Sequence, residues 1–218
     1  IYSYEIKEVE ALEVGAGVEF EIRCGDMNKL EISADSEDDF SMSFKNKKLK
    51  ITGRNRRTWW PFFARPHNDV TANLTLKNPP QFIGVHAGSE GDMKNCFKNE
   101  ADLGLSVSAG SSFELDGGSG SLNKLEVDLS SGSSVEIRET FHINHIELKA
   151  SSGSKFEAGN KVVIEAAEVR VYSGASAEIC GTFAVSGRAS SGGSVKVSEN
   201  TIRTDFSVSS GGSDSDCR

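Results

Sequence analysis

Residues Leu125–Ile137 read LEVDLSSGSSVEI, and this stretch decides the fold. Leu125, Val127 and Leu129 alternate with Glu126 and Asp128. After Ser-Ser-Gly-Ser, Val135 and Ile137 flank Glu136. Strict alternation of apolar and polar residues marks a β-strand with one buried face. The serine-glycine stretch between the two runs marks a bend, because glycine adopts angles other residues avoid and serine bonds its neighbouring backbone. The unit is therefore strand, bend, strand.

The phrase recurs as LGLSVSAGSSFEL from Leu103, IELKASSGSKFEA from Ile146, AEVRVYSGASAEI from Ala167, VSGRASSGGSVKV from Val185 and TDFSVSSGGSDSD from Thr204. An upstream copy, QFIGVHAGSEGDM, starts at Gln81. The anchor glycines are Gly88, Gly110, Gly132, Gly153, Gly174, Gly192 and Gly211, spaced by 22, 22, 21, 21, 18 and 19 residues. A fixed period of this size is the signature of a solenoid. At ~3.3 Å per residue one rung has a perimeter of roughly 60–70 Å, enough for three short sides, and parallel rungs stack about 4.8 Å apart. Equivalent residues then form columns. Three residues after each glycine stand Phe113, Val135, Phe156, Ala177 and Val195; five after stand Leu115, Ile137, Ala158, Ile179 and Val197. Both columns face inward. No helical period accompanies the strands, which argues against a leucine-rich repeat, and a calcium-binding nonapeptide roll has too short a period. The expected fold is all-β, a single-stranded parallel β-helix.

The first eighty residues are a looser version. Leu12, Val14, Gly17, Phe20 and Ile22 obey the spacing; so do Leu30, Ile32 and Ala34 with Phe40 and Met42, Glu37 replacing the glycine. Leu49 and Ile51 begin another copy, which breaks at RNRRTWWPFFARPHND, residues Arg54–Asp69. Alternation resumes at Val70. We read residues 1–80 as an irregular N-terminal β part with an insertion near 54–69, and residues 81–218 as regular rungs of the same domain.

Composition sets further bounds. The chain has 218 residues, 37% hydrophobic and 26% charged, as expected for a globular protein, and a net charge of −8. That balance argues against general nucleic-acid binding, which needs a basic face. No apolar run reaches the ~18 residues of a membrane span. The four cysteines lack the CxxC spacing of a structural zinc site. Cys180 and Cys217 each lie six residues after a glycine with the Gly192 rung between them. That places them almost 10 Å apart, beyond the ~7 Å limit for a disulfide, so free thiols are expected there. The repeat does not place Cys24 and Cys96.

The repeated SGS-x-h-E-h phrase (h, hydrophobic), behind the opening LEVGAGVEFEI from Leu12, resembles a bacterial family of auto-transporter adhesins with a "head GIN" domain. The resemblance runs from about Leu12 to Gly212. It implies a right-handed β-helix exported to the envelope of Gram-negative bacteria, often as a lipoprotein. The Arg54–Asp69 insertion departs from the common pattern.

Two constellations are candidate sites. Four residues after successive glycines stand Asp92, Glu114, Glu136, Glu157 and Glu178, with Glu21 in the same slot of the first copy and Lys196 closing the series. Stacked about 5 Å apart, like charges repel by on the order of 1 kcal/mol per adjacent pair. The column is expected either to form a solvated face or to attract a cation such as calcium or a basic partner. The second constellation is Trp59, Trp60, Phe62 and Phe63 with Arg57 beside them. These rings either cap the solenoid or contact a ligand such as a glycan or a surface protein, a membrane surface or another subunit. Lys45, Lys47, Lys48, Lys50, Arg54, Arg56 and Arg57 read either as a solvated hairpin or as a contact for an acidic surface such as a neighbouring copy. His142 and His145, an odd offset apart on a strand, should point to opposite faces. No nucleophile elbow, zinc-protease motif or phosphate loop is present. The reading favoured is a non-catalytic, exported, adhesin-like protein of the cell envelope with no cofactor, binding an extended ligand (glycan or protein), playing a structural role or self-associating. The alternative is a polysaccharide lyase or hydrolase using Glu136 and Glu157, whose spacing alone brings two carboxylates close.

Overall fold

The computed structural model describes residues 1–54, 70–97, 101–118 and 120–217. The repeat folds as a β-solenoid. At each bend two consecutive residues take left-handed angles: Ser131 has φ 56° and Gly132 φ 70°, and Ser152 and Gly153 repeat the pair at 53° and 71°. The second position is the one glycine fills without steric cost. Bends stack by a continuous ladder, Gly110 N–H donating to Ser131 O and Gly132 N–H to Ser152 O, both at 3.0 Å. Just inside them lies a row of buried serines. Ser111 Oγ accepts from Ser89 N–H, and Ser133 Oγ donates to Val107 O at 2.8 Å.

The strands assemble into two sheets of eleven and ten strands among the described residues. Strands after the bends pair in the register the repeat predicts, Phe113 beside Val135, Val135 beside Phe156, Phe156 beside Ala177. These inward columns are almost wholly buried. Strands before the bends form the other sheet, Leu125 beside Ile146 and Ile146 beside Ala167.

The third side arises from a corner within the long strands. Between buried Ile143 and Ile146 two successive residues, Asn144 and His145, stay out of the core; Asn123 and Lys124 do the same one rung earlier. The corner corrects the histidine expectation. An odd offset sends side chains to opposite faces only in a straight strand, and the extra residue at the corner leaves both His142 and His145 outside.

The N-terminal part departs from the simple reading. The Gly17 copy stacks directly against the Gly88 copy, Leu12 beside Ile83 and Phe20 beside Gly91. On its other side lies a rung made of Lys48–Gly53 and Val70–Leu76, parallel to it. Lys48–Gly53 and Val70–Leu76 thus take the positions that the strands before and after the bend take in the neighbouring rung. Lys29–Ser33 and Phe40–Lys45 run antiparallel to that rung, on opposite sheets. Leu30, Ile32, Phe40 and Met42 share the alternation but not the direction, because a short 3₁₀ turn, Glu37–Asp39 capped by Ser36, replaces the serine-glycine bend between them. Tyr2–Glu5 pairs outside Lys29–Ser33, also antiparallel. The lysines of the basic run lie on a hairpin, Lys47 held by Glu8 and Glu10 and Lys48 by Glu13, while Arg56 and Arg57 lie outside the described residues.

At the other end the core is closed by charge. Asp214 and Asp216 stand beside Val195 and Val197 at inward positions, and Arg203 stands beside Val185. Arg203 bonds Asp214 at 2.7 Å and Asp216 at 3.0 Å. Core-facing charges on a final strand discourage further strand addition.

Both cysteine pairs are bonded. Cys24–Cys96 joins the Gly17 and Gly88 rungs, with Cα atoms 5.0 Å apart. Cys180 and Cys217 are not free thiols; their Cα atoms lie 5.8 Å apart and they form the second disulfide. Strand pairing ends at Ile179, Val197 and Asp216, and Cys180 and Cys217 directly follow the first and last of these. Past Val197 the middle rung turns away, with Thr201 N–H bonding Ser198 O. The strand spacing that separates paired columns does not reach the residues beyond them.

Candidate functional site

Two outward faces carry organised side chains. On the eleven-stranded sheet the acidic column is continuous: Glu21, Asp92, Glu114, Glu136, Glu157, Glu178 and Lys196 are register partners in turn. Every acid in it has a basic neighbour. Glu21 meets Arg23 at 2.8 Å and Asp92 meets Lys94 at 3.1 Å. Arg138 bridges Glu114 and Glu136 at 2.9 and 2.7 Å, Lys155 holds Glu157, and Lys196 holds Glu178 at 3.3 Å. Interleaved bases offset the repulsion that a bare column would suffer. The Arg138 guanidinium, bonded to both oxygens of Glu136, holds that carboxyl below the usual glutamate range. Glu21 is lowered in the same way by Arg23 and Lys94. A shallow depression of about 270 Å³ lies over Ser112 and Ser134, edged by Glu114, Glu136 and Lys155.

Trp59, Trp60, Phe62, Phe63 and Arg57 lie outside the described residues. The one cluster of metal-ligating groups among the described residues is Glu178 with Cys180 and Cys217. Its two sulfurs are bonded to each other.

The sequence reading missed the face on the other sheet. Six residues before successive glycines stand Ala11, Phe82, Gly104, Glu126, Glu147 and Glu168, and these are register partners in turn. Beside them runs Glu13, Gly84, Ser106, Asp128, Lys149 and Arg170. Counting backward from the glycines exposes both columns. Lys124 links Glu126 and Glu147 at 2.5 and 2.9 Å, and Arg170 holds Glu168 at 2.7 Å. Lys124 also holds the Glu147 carboxyl below its ordinary range.

A groove of about 430 Å³ runs along this face from Phe82 to Arg170. At its Phe82 end the side chains vanish. A methyl group at Gly104 would lie 3.0 Å from Phe82 Cδ2, and one at Gly84 would lie 3.4 Å from Phe82 Cε1 and 2.9 Å from His86 Nε2. Two opposite corners of the ring thus rest over two glycines. The ring lies along the sheet, and Phe82 remains 38% exposed. His86 Nδ1 contacts Ser108 Oγ at 2.8 Å, which leaves Nε2 over Gly84.

The described residues contain no helix long and apolar enough to cross a membrane. The fold is shared with solved bacterial structures of low sequence identity. An adhesin-titled structure from Bacteroides fragilis matches with a TM-score of 0.78 at 15% identity, covering 99% of this chain and 95% of that one. A protein from Parabacteroides distasonis, titled a "putative lipid binding protein", matches with a TM-score of 0.71 at 13% identity, covering 100% and 96%. An adhesin-titled structure from Parabacteroides merdae matches at 0.66 and 12%, covering 100% and 95%. No curated protein matches the sequence. The family model described as "Putative auto-transporter adhesin, head GIN domain" matches residues 9–201, and the chain belongs to that family.

Proposed function

We propose that this protein is an exported, envelope-associated binding protein that holds an extended ligand, a glycan or a surface protein, along a flat sheet face and performs no chemistry on it. The observation that carries this reading is the register of the outward residues. Equivalent side chains repeat along each face at the rung spacing of ~4.8 Å, so each face is a rigid row of evenly placed polar groups. A ligand with its own repeat meets the same contacts several times, and many weak contacts add without a deep pocket. Membership of an adhesin family supports the same direction.

The competing hydrolase reading needs a carboxyl kept protonated near neutrality as general acid. Glu136 is pulled the opposite way, held ionised by Arg138. That favours a surface role for the acidic column. Periplasmic placement, outer-membrane anchoring or display at the cell surface all suit an exported solenoid.

The test is a binding survey with turnover monitored. Purified protein is applied to a glycan array and to immobilised mucin and collagen, and the glycans are then assayed for new reducing ends or unsaturated products. Retention on at least one surface without product supports the proposal. Product formation that Glu136→Gln or Glu157→Gln abolishes refutes it.

A further inference from the structure

We propose that the Phe82 end of the groove is a sugar-binding subsite, with the aromatic ring serving as a platform for the apolar face of a pyranose. The inference rests on the surface-binding reading above and assigns it a place and a ligand class. The column that holds Phe82 carries glutamate in three consecutive later rungs, Glu126, Glu147 and Glu168. At this one end it carries a phenylalanine, followed by glycine in the next rung. The neighbouring column likewise drops to Gly84 and Ser106 before Asp128. A Cβ at Gly104 would press on the ring, and one at Gly84 would press on His86 Nε2 and touch the ring at 3.4 Å. The glycines therefore allow the ring to lie flat instead of standing out, and its outer face stays open to solvent.

The surroundings select the ligand. The ring is a single apolar plate among polar groups: Glu126 and Asp128 on one side, Glu13 on the other, and His86 Nε2 and Ser106 close by. A pyranose fits that arrangement. Its C–H face is attracted to the negative face of an aromatic ring. Its hydroxyls, radiating around the rim, donate to carboxylates in charge-assisted hydrogen bonds. A lipid chain needs a continuous apolar strip, which the flanking charges deny it. A peptide adding as a strand needs an open sheet edge, and Phe82–His86 is paired on both sides. An anionic ligand would meet carboxylates whose charge is only partly offset, Glu13 by Lys48 and Glu126 by Lys124. Farther along, Glu126, Glu147 and Glu168 repeat at a spacing close to the length of one sugar unit, so a longer chain extends along the groove from the ring.

The test uses the full chain with cellohexaose, mannohexaose, chitohexaose and galactotetraose, read by saturation-transfer NMR and by calorimetric titration. Wild type binds at least one of them, with saturation strongest when aromatic protons are irradiated. Phe82→Leu keeps the glycines covered but removes the π face; it lowers affinity about tenfold with an unchanged melting temperature. Gly104→Ala, which pushes the ring off the sheet, lowers it as well. Equal binding by wild type and Phe82→Leu overturns the subsite and leaves the surface-binding reading intact. Binding to mucin or collagen with none to any of the four sugars also overturns it alone. Absence of binding to every surface and sugar overturns both.

Discussion

The tightest packing in the core makes a quantitative prediction at Gly91. Phe20, Gly91 and Phe113 occupy one inward column in three successive rungs. Two rung steps would separate the rings by nearly 10 Å, yet their centroids are 6.1 Å apart. The rings meet because the middle residue has no side chain. A methyl group at Gly91 would lie 2.1 Å from Phe20 Cζ. Interiors packed at crystal density cannot absorb that without moving a ring or a strand, so Gly91→Ala should cost about 2–3 kcal/mol, in the upper part of the overpacking range. For a chain of this size that lowers the melting temperature by roughly 4–12 °C. Phe20→Ala alone should cost ~3–5 kcal/mol by leaving a cavity. In the double variant the methyl enters space the ring has vacated, and the combined cost should fall short of the sum by about 1–3 kcal/mol. Circular-dichroism melts of the four proteins complete the cycle. Gly132→Ala is the control: nothing lies within 4 Å of the added carbon, so only its left-handed backbone, worth ~1–2 kcal/mol, is charged against it. A neutral Gly91→Ala with additive costs would refute the packing argument.

Further expectations concern the ends, the disulfides and pH. Replacing Asp214 and Asp216 together with valine restores apolar residues at inward positions and leaves the last strands open to pairing. Sedimentation at rising concentration should then show more self-association than in the parent. Thiol titration of the unreduced, denatured protein should detect no free cysteine. Separately removing the Cys24–Cys96 bridge, which spans 72 residues, by Cys24→Ser/Cys96→Ser should cost about 4 kcal/mol. Glu21, Glu136 and Glu147 have pKa values lowered in the fold by their basic neighbours. Their contribution is therefore complete above the ordinary glutamate pKa of ~4.3 and is lost as pH falls through the lower folded values. The melting temperature should hold from neutrality to about pH 5 and decline below it. The decline should be shallower in Arg138→Met, and added salt should weaken the difference because these pairs are exposed.

Much of this architecture is written in the alternation of the chain. Val135 and Phe156 are neighbours because each stands three residues after a glycine in consecutive copies, and the acidic column follows from the same count. Alternation says which face a residue occupies; it is blind to strand direction and to spatial order. That is why Leu30 and Ile32 read as an ordinary rung although they run against the stack. It is also why the adjacency of the Gly17 and Gly88 copies, separated in sequence by two intervening strands of one rung and by the capping strands, cannot be read by eye. His145 was misplaced because a corner inserts one residue out of phase, a geometric event without a composition signal. Cys180 and Cys217 were misplaced because rung spacing constrains only paired residues. The Phe82 groove was legible: its glycines and its ring sit at fixed offsets before the anchor glycines, and only the direction of counting hid them.

The central claim is that the copies stack in register along one axis. Nitroxide labels at Asp92→Cys and Lys196→Cys test it directly, since both residues belong to one outward column and are separated by five register steps through Glu114, Glu136, Glu157 and Glu178. Five steps of ~4.8 Å place the two backbones about 24 Å apart. Pulsed electron-electron resonance should give a single distribution centred near that value, broadened by the label arms. A distribution centred beyond about 40 Å, or several separate distances, would contradict the stack.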